Sequence, residues 1–154
     1  MAKRGVLMVC LGNICRSPIA EAVFQHVIKE RGLEDKWFVD SAATSSEHIG
    51  SDPDPRASAC IKRHGIVYKH KTRRLTADDY RKFDFIFGMD KSNLSNIKRI
   101  APADGKAEIG LLGDYHPKGK TIIHDPWYDS DDKGFEECYE KALASVNAFL
   151  DQHQ

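Results

Sequence analysis

Hydrophobic positions along the chain alternate between short continuous runs and longer stretches at helical spacing. Gly5 to Cys10 (GVLMVC) is apolar throughout, the pattern of a strand buried on both faces and central in its sheet. The following segment carries Ile19, Val23, Phe24, Val27 and Ile28 at helical spacing. Ser17 is its predicted N-cap, Pro18 its first helical position, Glu21 lies in its first turn and Gly32 ends it. Trp37 to Ala42 (WFVDSA) reads as a second strand. Asp54-Pro55 caps a helix with Ala57, Cys60, Ile61 and His64 on one stripe, stopped by Gly65. Thr76 and Asp79 have the spacing of a capping box for a short helix. Phe83 to Gly88 is a third strand, Asp90 to Ile100 a helix through Leu94, Ile97 and Ile100, and Ala107 to Leu112 a weaker fourth strand. Asp132 to Leu150 is a strongly periodic final helix. This alternation predicts an α/β fold: about four mostly parallel strands with helices on both faces. Such a sheet binds its ligand at the carboxyl ends of the strands.

With 154 residues the chain predicts one domain, spanning 1–154, and area scaling leaves about 7,900 Å² exposed, enough folding burial for a core without staples. The 23 basic and 23 acidic side chains cancel, so no long-range field gathers nucleic acid or anionic lipid, and an anion has to be caught locally. No apolar run approaches the ~20 residues of a membrane span. Residues 1–11 lack the pattern of a signal peptide, so the cysteines Cys10, Cys15, Cys60 and Cys138 are expected as reduced thiols in the cytoplasm.

The chemistry concentrates between the first strand and the first helix, in Cys10-Leu11-Gly12-Asn13-Ile14-Cys15-Arg16-Ser17. A strand-loop-helix turn of this length aims successive backbone N–H groups inward as an anion nest, with the helix N-terminus behind it. Gly12 and Asn13 are residue types that tolerate the positive φ of a nest. Arg16 adds a planar cationic fork matched to phosphate oxygens. The same field favours thiolate at Cys10, and Ser17 is placed to donate toward that sulfur. Further along, Asp125-Pro126-Trp127-Tyr128 puts a carboxylate on a stiffened turn beside two rings able to flank a flat leaving group. An isolated Cys-x5-Arg match would be weak; its position between strand and helix gives it weight.

Val9 to Phe24 (VCLGNICRSPIAEAVF) resembles the signature of the low-molecular-weight protein tyrosine phosphatases. The resemblance continues through Val39-Asp40-Ser41, Asp52-Pro53-Asp54-Pro55-Arg56, Met89 to Leu94, Leu111-Leu112-Gly113 and Asp125-Pro126, and is closest to the animal cytosolic branch. It implies a four-stranded parallel sheet and hydrolysis of phosphotyrosine, or of small aryl phosphates, through a cysteinyl-phosphate. By the resemblance Cys10 is the nucleophile, Arg16 the phosphoryl clamp and Asp125 the general acid and later base. Leu11, Ile14 and Tyr128 wall an aromatic slot. Asn13, Ser17, Ser41 and His70 brace the loop, and Asp90 lies near the loop arginine. Neither metal nor cofactor is implied. Phosphotyrosine proteins are the expected substrates, inorganic phosphate the product and inhibitor, and the expected state is a monomer capable of weak self-association. Glu47, His48 and Trp127 depart from the family at the pocket mouth.

Other readings fit less well. An arsenate-reductase-type thiol enzyme would carry further cysteines around residues 75–95, which hold none. A nucleotide-binding module would need the lysine of Gly-x4-Gly-Lys-[Ser/Thr]. A non-catalytic phosphate-binding module would not need Asp125 beside Cys10 and Arg16. On composition alone His70, within Lys69-His70-Lys71-Thr72-Arg73-Arg74, reads as solvated surface, and Cys60 and Cys138 read as core residues.

Overall fold

The computed structural model describes residues 2–129 and 131–154. In chain order it contains β1 (Arg4–Cys10), α1 (Arg16–Glu30), β2 (Trp37–Ala43), α2 (Pro55–Arg63), α3 (Asp79–Lys82), β3 (Phe85–Gly88), α4 (Lys91–Arg99), β4 (Glu108–Leu111) and α5 (Lys133–Gln152). Short 3₁₀ turns cover Leu112–Tyr115 and Pro126–Tyr128. All strand pairs are parallel in the order β2-β1-β3-β4, with Val6 opposite both Val39 and Phe85. The apolar run of β1 is therefore central, and its period of two divides the core. Val6, Met8 and Cys10 join the cluster holding Ile19 and Phe24 of α1, Cys60 of α2 and Phe149 of α5. Leu7 and Val9 face Tyr80, Phe83 and Ile97 on the other side. Helices cover both faces, as the alternation predicts.

Gly32 and Gly65 end α1 and α2 at φ 69° and 75°. After α1, Leu33 N–H donates to the Ile28 carbonyl and Gly32 N–H to Lys29; after α2, Ile66 N–H donates to Ile61 and Gly65 N–H to Lys62. Both ends are Schellman motifs, whose left-handed residue is strained for any side chain with a Cβ.

Three expectations are corrected. Ser17 is not the N-cap of α1: the helix begins at Arg16 behind Cys15, without a side-chain cap, because the Ser17 hydroxyl is spent on the Cys10 sulfur. Glu21 accordingly lies beyond the first turn and is 4% exposed. β3 begins at Phe85, since the Asp84 carboxylate accepts from Gly5 N–H and Phe83 packs in the smaller core cluster. β4 is likewise shortened, because Ala107 N–H donates to the Tyr80 carbonyl of α3 and Leu112 enters a 3₁₀ turn.

Candidate active site

The loop 10–16 leaves the carboxyl end of β1 and enters α1. Its carbonyls are turned outward: Cys10, Leu11 and Ile14 accept from the amides of Thr44, Ser45 and Asp54, and Cys15 accepts from Ile19. Among the described residues the amides of 12–15 donate to no protein acceptor, which leaves them free to converge on an anion at the head of α1. Asn13 takes φ 55°, the one positive φ among described residues other than glycine. Gly12 does not share that conformation. Its missing Cβ instead clears the ring of His48, which a methyl group would meet at 3.0 Å.

Side chains hold Asn13 in its strained state from beneath. Its amide nitrogen donates to Ser17 Oγ at 2.8 Å and to Ser41 Oγ at 2.9 Å. The remaining oxygen must accept, so His70 Nε2, 2.7 Å away, is protonated and donates to it. Ser41 in turn donates to Glu21 Oε1 at 2.6 Å, and Tyr68 donates to the same oxygen at 2.7 Å. With its oxygen filled by Asn13, the Ser17 hydroxyl is free to donate to Cys10 Sγ, 3.1 Å away. Asn13 and Ser17, which the resemblance makes braces of the loop, thus turn their side chains under it, and only their backbone faces the nest. His70 is buried in this network and is not surface. Arg73 N–H also donates to Asn13 Oδ1 at 3.3 Å, and the contributions of Glu21, Tyr68 and Arg73 lie outside the expected site. The signal for Glu21 was its spacing of four from Ser17, which puts both on one face of α1.

Arg16 is almost fully buried. Nη1 donates to Asp90 Oδ2 at 2.6 Å and to the Ile123 carbonyl at 3.0 Å, and Nη2 lies 3.4 Å from Asp125 Oδ2. Asp90 serves two elements at once, because its Oδ1 accepts from Asn93 N–H in the capping box that starts α4. Partial burial would raise its pKa, but the Arg16 and Asn93 bonds outweigh burial and hold the carboxyl below the ordinary range. Asp125 starts the 3₁₀ turn of Trp127 by accepting from its N–H at 3.1 Å. Arg56, outside the expected site, ties that turn to α2 by donating to the carbonyls of Trp127 and Asp129 at 3.1 and 2.9 Å and to Asp54 Oδ2 at 3.1 Å.

One cavity gathers Cys10, Leu11, Gly12, Ile14, Cys15, Asp125, Trp127 and Tyr128, with Ser45, Glu47 and His48 at its mouth. Leu11 and Trp127 are each 44% exposed and Tyr128 73%, and the two rings meet edge-on at 4.9 Å. Glu47 and His48, the expected departures, are among the residues that line this cavity. Cys15 packs under the loop, where burial and nearby Asp54 push its thiol well above its ordinary pKa. All four cysteines are free. No helix among the described residues is long and apolar enough to cross a membrane.

The family model described as low molecular weight phosphotyrosine protein phosphatase matches residues 5–154. The chain is 49% identical over 151 residues to the low molecular weight phosphotyrosine protein phosphatase of Gallus gallus, covering 97% of this chain and 95% of that one. Among solved structures, Primo-1 superposes with a TM-score of 0.92 at 42% identity over 97% of both chains, and a Drosophila arginine phosphatase with a TM-score of 0.92 at 38% identity over 97% of both. A Cys-x5-Arg nest at the end of a central parallel strand, an aspartate turn facing it and similarity along nearly the whole chain lead to one conclusion: the chain belongs to the low molecular weight phosphotyrosine protein phosphatase family and is a phosphoric monoester hydrolase.

Proposed function

We propose that the protein hydrolyses phosphotyrosine, and small aryl phosphates, in the cytoplasm through a cysteinyl-phosphate. The carrying observation is that Cys10 and Asp125 line one cavity with apolar walls, while the loop's free amides of 12–15 stand beside Cys10 and Arg16 reaches to 3.4 Å from Asp125. In the first step Cys10 Sγ attacks phosphorus, the bond from phosphorus to the phenolic oxygen breaks, and Asp125 delivers a proton to that oxygen. The amides and the Arg16 fork hold the three equatorial oxygens as charge builds on them. In the second step Asp125 takes a proton from water, whose oxygen attacks phosphorus, and the Cys10 thiolate departs, stabilised by the Ser17 hydroxyl. The chain's own groups supply each proton and each positive charge, so chelators should leave the rate unchanged.

Leu11, Ile14, Trp127 and Tyr128 favour a flat ring over a short aliphatic ester. Their burial and stacking are worth about 1–3 kcal/mol, or roughly 5- to 150-fold in specificity. Because one structural relative is an arginine phosphatase, the deciding assay compares kcat/KM on phosphotyrosine, phosphoserine and phosphoarginine peptides of one flanking sequence. Preference for phosphotyrosine supports the aromatic slot, and equal rates refute it. Cys10→Ser should abolish turnover yet keep phosphate binding, whereas Arg16→Lys should rescue little, since a point charge cannot hold two oxygens in plane. Asp125→Ala should slow hydrolysis about 10²- to 10⁴-fold for phenyl leaving groups and far less for those that depart unprotonated. A Cys10→Ser protein with wild-type turnover would end the covalent reading.

A further inference from the structure

Away from the pocket, the last turn of α2 brings a second set of reactive side chains against the first turn of α5. Cys60 and His64 stand four residues apart on one helix face, and Glu136 approaches from α5. One ligand atom from each, Cys60 Sγ, a His64 ring nitrogen and a Glu136 carboxylate oxygen, lies within 4.8 Å of the other two. His64 Nε2 and Glu136 Oε2 are 2.6 Å apart. The His64 ring is held flat against Tyr139, with centroids 3.6 Å apart and planes inclined by 7°. Arg63 binds only the other carboxylate oxygen, Oε1, through Nε at 2.8 Å and Nη2 at 2.7 Å. Oε2 therefore keeps its direction, and the arginine occupies the outer position that commonly orients a ligating carboxylate. Cys60 closes the floor, fully buried, its thiol donating to the Phe135 carbonyl at 3.5 Å.

From this geometry we propose that Cys60, His64 and Glu136 form a binding site for a zinc-like divalent cation, with water as fourth ligand. Bonds of about 2.0 Å to nitrogen and oxygen and 2.3 Å to sulfur put tetrahedral ligand atoms roughly 3.3–3.8 Å apart. The cluster, with its atoms within 4.8 Å of one another and His64–Glu136 at 2.6 Å, lies close to that spacing and reaches it by opening the His64–Glu136 contact and drawing in the sulfur. Thiolate, imidazole and carboxylate together select zinc over magnesium or calcium, which take oxygen ligands. Glu136 and Arg63 also line a surface groove of about 460 Å³ together with Asp132, Lys133, Glu137 and Glu140. Burial pushes the Cys60 thiol up to about 12, so metal binding releases its proton to solvent and strengthens with rising pH. A bound ion would clip α2 to α5.

The test titrates Zn²⁺ and Co²⁺ into Cys10→Ser protein, which removes the loop nucleophile as a competing thiol ligand. Expected are one Zn²⁺ per chain with a micromolar or tighter Kd, a thiolate-to-cobalt charge-transfer band, and a Tm raised by roughly 5–10 °C at a hundredfold excess over Kd. Adding Cys60→Ser removes the band and adding Cys138→Ser keeps it. His64→Ala, a change outside the core, loses the Tm rise, and Arg63→Ala weakens Zn²⁺ about 10- to 100-fold. Undiminished Zn²⁺ affinity in His64→Ala, a band that survives Cys60→Ser, or no binding by the Cys10→Ser protein would overturn the proposal.

Discussion

Glu21 Oε1 lies 3.5 Å from His70 Nδ1 beneath the anion loop, and burial moves their proton affinities past each other. It raises Glu21 from 4.5 to about 7 and pushes His70 below its ordinary 6.5. For Glu21 the folded state binds the proton more tightly than the unfolded one. Its contribution to stability is thus complete below pH 4.5 and is lost as pH rises through about 7. Glu21→Gln removes that loss while still accepting from Ser41 and Tyr68. Its stability relative to wild type should climb between pH 4.5 and 7, by up to about 3 kcal/mol, and level off above. Urea unfolding across that range measures it, and a difference independent of pH would mean that Glu21 is ionised throughout.

The Arg56 bonds to the Trp127 and Asp129 carbonyls make this arginine a positioning residue for Asp125. Arg56→Ala should lower kcat about 10-fold for leaving groups that need protonation and leave activated aryl esters nearly untouched, the same selectivity as Asp125→Ala in weaker form. Phosphate affinity should not change. An equal loss on both leaving-group classes would show that the substitution had disturbed the nest itself.

Cys15 shares the loop with Cys10, and its buried thiol stays protonated. Mild peroxide should convert Cys10 to the sulfenic acid, and the Cys15 sulfur should then displace water from it to close a disulfide that dithiothreitol reopens. Cys15→Ser should instead proceed to sulfinic acid and permanent loss of activity. Fully reversible inactivation of that variant, followed by mass spectrometry, would remove Cys15 from the reaction.

Glu47 at the cavity mouth should disfavour acidic residues beside the phosphotyrosine and mildly favour basic ones. The preference is an exposed charge effect of roughly 0.2–1 kcal/mol that salt screens. Measuring kcat/KM for acidic and basic flanks at low and high salt checks it, and Glu47→Gln should erase it.

Elements buried on both faces or strongly periodic were legible from residues alone. β1 and α5 are examples, because core burial leaves a direct imprint on hydrophobic spacing. The nest was legible because a phosphate cradle needs few residues in one short segment. The bracing network was not legible from residues alone, since Ser41, His70 and Glu21 come from separate elements and each looks ordinary in its own neighbourhood; the family resemblance named Ser41 and His70, and nothing named Glu21. His70 sits in a basic run that reads as surface, yet the chain folds it inward to satisfy Asn13. Ser17 shows the opposite failure. Its local chemistry favours a helix cap, and the tertiary demand of the sulfur and of Asn13 takes precedence.

Arg16 finds Asp90 and Asp125 only across 74 and 109 residues of chain. At synthesis rates of 5–20 residues per second, the loop is made roughly 5–20 s before Asp125 exists. Central strand β1 meanwhile waits for residues 85–88 to give it a second neighbour. A nascent chain therefore carries its sulfur without the neighbours that shape it, and a message truncated before residue 125 yields a thiol protein with no acid to discharge a phenolate. On the role proposed for Asp125, the general acid joins the nucleophile only after translation has passed residue 125 of 154.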